Sequence, residues 1–284
     1  MNKNYRIQEI TTLDLPELQP YRTLRRSTEH VRDRIFVAEG EKVVRRLLAS
    51  NLSIISMLMT KQWFEKIFPN DYNISNPIIF ISEKSNIESI VGYHLHQGIM
   101  AVAKIPTEIQ LDKLLEKNTP SLLFVALDNL VNSENVGIIV RNCAAFGVNA
   151  IIVGETSSSP YLRRAVRNSM GTVFKLPIIH SKNLAETLSE LKTKYNVQII
   201  GAHPHEKQSL YTSNFSEKIC IVFGNEDEGI SENILDICDD YIAIPMMNDV
   251  DSLNVACSSA VFLYEIRKQI DKNKFADPIT GIGK

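Results

Sequence analysis

The chain has 284 residues, 44% of them hydrophobic and 23% charged, with a formal net charge of −2. That length exceeds the usual single domain and allows a sizeable core. The near-neutral balance excludes a protein that coats nucleic acid over its whole surface, although it leaves room for a local basic face.

The first residues, MNKNYRIQEI, lack the apolar centre of a signal peptide, and no later apolar run approaches the ~18 residues that cross a bilayer. A cytoplasmic location and no membrane partner are therefore expected. Residues 21–46 carry Arg22, Arg25, Arg26, Arg32, Arg34, Lys42, Arg45 and Arg46 against Glu29, Asp33, Glu39 and Glu41. Such a run suits a polyanion, and equally a solvated helix face laced with internal salt bridges. RIFVAEGEKVVRRLLAS reads as a strand and then a helix, with Val43, Val44, Leu47 and Leu48 on one face; SIISMLMT, PIIFIS and GIMAVAKI read as short strands. A smaller α/β domain over residues 1–106 is the simplest account, followed by a polar linker over 107–120.

From residue 121 the pattern changes. Apolar runs alternate with amphipathic helical ones: LLFVAL (122–127), GIIVRNCAAF (137–146), AIIVG (150–154), YLRRAVRNSM (161–170), KLPIIH (175–180), LAETLSELKTKY (184–195), VQIIGA (197–202), KICIVFG (218–224), SENILDIC (231–238), YIAIPM (241–246) and SLNVACSSAVFLYEIRKQI (252–270). Continuous apolar strands between helices predict a parallel sheet covered on both faces, hence an α/β fold class. Ligands of such sheets sit beyond the carboxyl ends of strands, here after Leu127, Val153, Gly201, Phe223 and Ile244.

The loop FGNEDEGIS spaces Gly224 and Gly229 like a phosphate loop, yet Ile230 stands where such a loop needs lysine. Glu226, Asp227 and Glu228 would repel a polyphosphate, and residues 224–240 hold no Lys or Arg. The expected ligand carries positive charge, or polar edges that accept backbone hydrogen bonds. After Leu127, Gly137 falls where a helix is expected to begin, with Arg141 one turn further on; after the last strand, Ser252 reads as the N-cap of a long apolar helix. GETSSSPYLRRAVRNSMGT offers serines and arginines suited to anion contacts.

Cys143, Cys220, Cys238 and Cys257 are far apart in apolar contexts and read as buried thiols of a reducing compartment. The pairs His94/His96 and His203/His205 have no acid or cysteine at ligand spacing, so no metal is expected. Neither G-x-G-x-x-G nor an intact P-loop is present, which excludes a nucleotide-dependent dehydrogenase or ATPase.

Taken together and in this order, NVGIIVRNCAAFG, VFGNEDEGIS and IAIPMMNDVDSLNVACSSA resemble the three motifs of the SpoU (TrmH-type) RNA ribose 2′-O-methyltransferases of the SPOUT superfamily, over residues 120–270. The resemblance implies S-adenosylmethionine as cofactor and a ribose 2′-hydroxyl of structured RNA as substrate, ribosomal RNA ahead of transfer RNA. It implies a methyltransferase domain over 121–284 with a deep trefoil knot, and a homodimer paired through it. FVAEGEKVVRRLL and HLHQGIMAV look like the start and end of the small RNA-binding domain that precedes the catalytic one in many members.

By the same resemblance, Asn135 and Arg141 match the first motif, Glu226 the second, and Ser252 and Asn254 the third, as the catalytic set. Gly224, Ile244, Met246 and Leu253 match positions that hold the methyl donor, and Arg25, Arg26, Arg32, Arg45, Arg46, Arg163 and Arg164 are the RNA-binding candidates. Arginine scarcely deprotonates in proteins. Arg141 is therefore expected to anchor a neighbouring phosphate and orient the ribose, while Glu226, Asn135, Ser252 and Asn254 hold its guanidinium and the substrate. The chain departs from the family pattern at Asn248, where glycine is common and a positive φ is expected; at Ala256, in place of a second serine; and at Ser133 and Glu134, in place of Pro-Gly. The alternative is an RNA-binding or ribosome-assembly factor that keeps the fold without catalysis.

Overall fold

The computed structural model describes residues 5–270 except 11, 13, 25, 26, 70, 71, 73, 75, 96, 116–120 and 205–207. Arg25, Arg26, His96, His205 and the end of the expected linker lie outside the described residues. The described residues form two compact units, one drawn from 1–107 with 159–175 and the other from 108–158 with 176–270.

In chain order the elements are β1 (Arg6–Glu9), α1 (Gln19–Arg22), α2 (Ser27–Arg32), β2 (Ile35–Glu39), α3 (Glu41–Leu48), β3 (Ile54–Met59), α4 (Lys61–Ile67), β4 (Ile78–Ile81), α5 (Lys84–Val91) and β5 (Ile99–Lys104). They continue with α6 (Leu111–Leu115), β6 (Leu122–Leu127), α7 (Ser133–Ala145), β7 (Ala150–Val153), α8 (Arg163–Asn168), β8 (Ile178–His180), α9 (Leu184–Tyr195), β9 (Gln198–Ala202), β10 (Lys218–Phe223), α10 (Glu232–Leu235), β11 (Asp240–Ile242) and α11 (Val255–Ile270).

The first unit is a five-stranded mixed sheet in the order β1-β4-β3-β5-β2. β1, β4 and β3 run parallel, and β5 is antiparallel to both β3 and β2. Tyr21, Leu58, Phe80, Ile87 and Val102 pack together in its core. The Tyr21 hydroxyl is partnered there by Ser56 Oγ at 3.0 Å, which removes the cost of burying a polar group. α3 buries Val43, Val44, Leu47 and Leu48, the face expected from their spacing. Residues 159–175 follow β7 in the chain and were expected in the C-terminal domain, but they pack with this unit. The ring of Phe36 lies 5.5 Å from that of Tyr161 and 5.4 Å from that of Phe174.

The second unit holds a six-stranded sheet in the order β11-β9-β10-β6-β7-β8, and every strand pair is parallel. All six residues of β6 are buried. α9 covers one face with Leu184, Leu188 and Leu191, against Phe124, Ile152 and Val222, where each fully buried leucine is worth about 1.5–3 kcal/mol. The chain steps outward from β6 to β7 and β8, then crosses back to β9 on the far side. This reversal leaves the loops after β6, β9, β10 and β11 near one another at the carboxyl end of the sheet.

Two helix starts differ from their expected places. α7 begins at Ser133, capped by the Asn132 side chain, which accepts from the N–H groups of Glu134 and Asn135; Gly137 lies in its second turn. α11 begins at Val255, and its cap is Asn254, whose Oδ1 accepts from the Ala256 N–H at 2.9 Å. Ser252 lies outside the helix. Asn142 ties the two helices together by donating to Ala256 O and Ser259 Oγ, both at 2.9 Å. Among the described residues, no helix is long and apolar enough to cross a membrane.

Candidate active site

The loops after β9, β10 and β11, together with the polar segment before α11, enclose a cavity of about 390 Å³, within the ~300–1,000 Å³ range of small-molecule sites. Gly224, Glu226, Ile244, Met246, Ser252, Leu253 and Asn254 all line it. Phe223 and Phe262 form its apolar side, their rings edge to face at 5.8 Å and buried.

Gly224 is obligatory on steric grounds. A Cβ there would lie 2.3 Å from both the carbonyl carbon and the oxygen of Gly229, because the loop folds back onto its own start. Gly229 makes the turn with φ of 75°. Asn225 and Gly229 exchange backbone hydrogen bonds at 2.9 and 3.0 Å, and Asn225 Oδ1 accepts from the N–H groups of Asp227 and Glu228. The acidic residues are thus set on a rigid turn, with Glu226, Asp227, Glu228 and Asp251 all lining the cavity. Among the described residues, no Lys or Arg lines it. The field favours a cation and disfavours a polyphosphate.

Asn135 stands beside the cavity and links the three sequence motifs. Its Nδ2 donates to Glu226 Oε1 in a short contact, and its Oδ1 accepts from Asn254 Nδ2 at 3.2 Å. Asn135 is buried with both ends of its amide partnered, so its orientation is fixed from two sides. Arg141 does not join this group. It is exposed on α7 in a stripe with Glu134, Ile138 and Ala145, two turns beyond Asn135, and is not among the residues lining the cavity. Asn248 has φ of 57°, the left-handed backbone expected where glycine is common.

His203 and Pro204, just after β9, also line the cavity. His203 carried no signal in the sequence beyond its pairing with His205, for which no metal was expected. The serines of the loop after β7 are engaged internally: Ser157 Oγ donates to Leu127 O at 2.9 Å and Ser158 Oγ to Val131 O at 2.6 Å. Burial raises the thiols of Cys143 and Cys220 far above the ordinary range and pushes Cys238 up to about 12, so none is a thiolate near neutrality. Cys257, expected to be buried, is exposed on α11.

In the first unit, the arginine candidates divide. Arg32 is exposed beside Asp33 at 2.9 Å, Arg45 pairs with Glu41 at 3.1 Å, and Arg46 donates to Met170 O at 2.6 Å. Arg164 is exposed. Arg163 is instead mostly buried, donating to Glu39 at 2.7 Å and to the Tyr93 hydroxyl at 3.0 Å. A guanidinium so engaged serves the packing of residues 159–175 in this unit.

Comparison with known proteins bears on the same residues. The chain is 36% identical over 178 residues, 62% of its own length and 72% of the other's, to the 23S rRNA (guanosine-2′-O-)-methyltransferase RlmB of Pasteurella multocida. Among solved structures, a TrmH-family protein from Porphyromonas gingivalis is similar with a TM-score of 0.77 at 26% identity, covering 91% of this chain and 99% of that one. An rRNA methyltransferase from Sinorhizobium meliloti with AdoMet bound shares the fold at TM-score 0.77 and 23% identity, covering 92% and 98%. The sequence model of the SpoU rRNA Methylase family matches residues 122–264, the stretch that builds the sheet, the acidic turn and the capped helix around the cavity. The chain belongs to the SpoU rRNA methylase family.

Proposed function

We propose that the protein transfers a methyl group from S-adenosylmethionine to a ribose 2′-hydroxyl of ribosomal RNA. The observation that carries this reading is the chain Glu226–Asn135–Asn254 at the edge of an acidic, glycine-walled cavity. S-adenosylmethionine, when bound, supplies an electrophilic methyl on a sulfonium cation. The carboxylates around the cavity favour that positive charge, Phe223 and Phe262 offer apolar surface, and Gly224 allows the close approach of backbone. Ser252 and Asn254 line the same cavity and supply polar groups to align the ribose, a poor nucleophile that depends on orientation. Ribosomal RNA is preferred as target because of the likeness to RlmB.

Further parts of the reading go with it. The first unit, through Arg32, Arg45, Arg46 and Arg164, grips RNA by phosphate and shape. The last strands and α11 are threaded as a trefoil knot. Two copies pair through α7 and α11, whose outward stripes carry Ile138 and Ala145 on one helix and Cys257, Val261 and Tyr264 on the other. Arg141 shares the α7 stripe, so the pairing surface and the proposed phosphate-anchoring arginine coincide.

A second reading, an RNA-binding factor without catalysis, is favoured by the absence of Arg141 from the cavity lining. Calorimetry with S-adenosylhomocysteine, on the wild type and on Glu226→Ala, separates the two. Saturable binding by the wild type supports the enzyme, whereas no binding supports the factor. Mapping 2′-O-methyl groups in ribosomal and transfer RNA from a deletion strain then identifies the target: a site lost from transfer RNA alone would refute the ribosomal preference.

A further inference from the structure

We propose that Asp128 is a positioning residue for the methyl-donor loop, acting through Ser231 without touching the donor. The inference rests on the reading of the cavity as the donor site. Asp128 follows β6, beside β10, and grips both ends of the acidic loop. Its N–H donates to Phe223 O at 2.9 Å, where the loop begins. Its carboxylate Oδ2 accepts from both the N–H and the Oγ–H of Ser231, at 2.7 and 2.8 Å, where the loop ends. Asn129 holds the middle: its carbonyl accepts from Asn225 Nδ2 at 2.9 Å, and its Nδ2 donates to Glu228 Oε2 at 3.1 Å. Neither Asp128 nor Asn129 lines the cavity.

Asp128 is only 6% exposed, and a buried carboxylate is retained where its oxygens are met by donors. The loop folds back so tightly that Gly229 rests on Gly224. Where Ser231 is fixed therefore sets where Gly229 and the acidic turn stand over the cavity. An Asp128 that released Ser231 would remove both hydrogen bonds that anchor the end of the loop and let the turn lift, widening the donor site before any RNA arrives.

The test measures S-adenosylhomocysteine affinity, donor KM and kcat for Asp128→Ala, Asp128→Asn, Ser231→Ala and the Asp128→Ala/Ser231→Ala double variant. Asp128→Ala is expected to weaken S-adenosylhomocysteine and raise donor KM by about tenfold, with kcat at saturating donor within about threefold. Ser231→Ala, which keeps the N–H, loses about threefold; it adds nothing in the Asp128→Ala background, because its partner is already gone. Asp128→Asn keeps an acceptor and recovers most of the affinity. The inference is overturned by wild-type affinity in Asp128→Ala, by a fall in kcat at unchanged KM, or by full additivity in the double variant. If Asp128→Ala does not fold, Ser231→Ala and Asp128→Asn decide, and a Ser231→Ala protein with wild-type KM and affinity overturns it. A wild type that binds no S-adenosylhomocysteine overturns the donor reading itself; binding untouched by these variants overturns the role of Asp128 alone.

Discussion

Asn135 in the first turn of α7, Glu226 in the acidic turn and Asn254 just before α11 are far apart in sequence and meet at one edge of the cavity through two side-chain hydrogen bonds. Their types were legible in the sequence because each sat in a motif; their bonding was not, since nothing local in the chain announces a contact across about a hundred residues. The same limit hid the use of Asp128 and Ser157, and it misplaced the cap of α11, where Ser252 and Asn254 are both good capping residues and only the backbone decides. Gly224 gives a sharp outcome at this scale. Gly224→Ala must push the turn off its start to relieve a 2.3 Å contact with Gly229, so S-adenosylhomocysteine affinity is expected to fall at least about tenfold by calorimetry, in a chain that still folds. Arg141→Lys keeps the charge and removes the planar fork. Single-turnover methylation is expected to slow by about a hundredfold with donor affinity unchanged, and a near-wild-type rate would refute bidentate positioning.

The central strands of the second unit were legible because they are continuous apolar runs: LLFVAL became β6 residue for residue and KICIVFG became β10 up to Phe223. By contrast, α6 lies where a polar linker was expected, and β11 covers only Asp240–Ile242 of the expected YIAIPM region. β1 was not, because Arg6, Gln8 and Glu9 make an edge strand with little buried surface and no hydrophobic signature. In α2, His30 is buried, with Nε2 3.0 Å from Pro20 O and 3.2 Å from Thr23 Oγ1. Burial lowers its pKa below the ordinary 6.5, against the pull of Glu29 and Asp33, with Arg163 acting in the same direction as burial. The unfolded chain then binds a proton that the native one refuses, so the contribution is complete above pH 6.5 and is lost as pH falls below it. Urea midpoints for the protein are expected to drop between about pH 7 and pH 5, and His30→Gln is expected to flatten that dependence. An unchanged slope in His30→Gln would assign the effect to other groups.

At the scale of the molecule, the α/β class and the parallel sheet followed from the alternation of elements, but the membership of residues 159–175 did not. Sequence order placed them with the C-terminal sheet, whereas Tyr161, Arg163 and Phe174 find their partners on Phe36 and Glu39. The proposed pairing through α7 and α11 makes its own demand. Val261→Asp sets a charge in the outward stripe, so light scattering is expected to report a dimer for the wild type and a folded monomer for the variant, with methyl transfer lost. A Val261→Asp dimer with full activity would remove the pairing surface from the account.

The most direct measurement of the central claim follows the methyl group itself. Ribosomal RNA lacking the modification is incubated with the protein and S-adenosylmethionine tritiated on the methyl, then digested with alkali, which cannot cleave after a 2′-O-methylated ribose. The account predicts label in alkali-resistant dinucleotides, abolished by Glu226→Ala. Label in mononucleotides, which marks a base, or no label in RNA at all would contradict it.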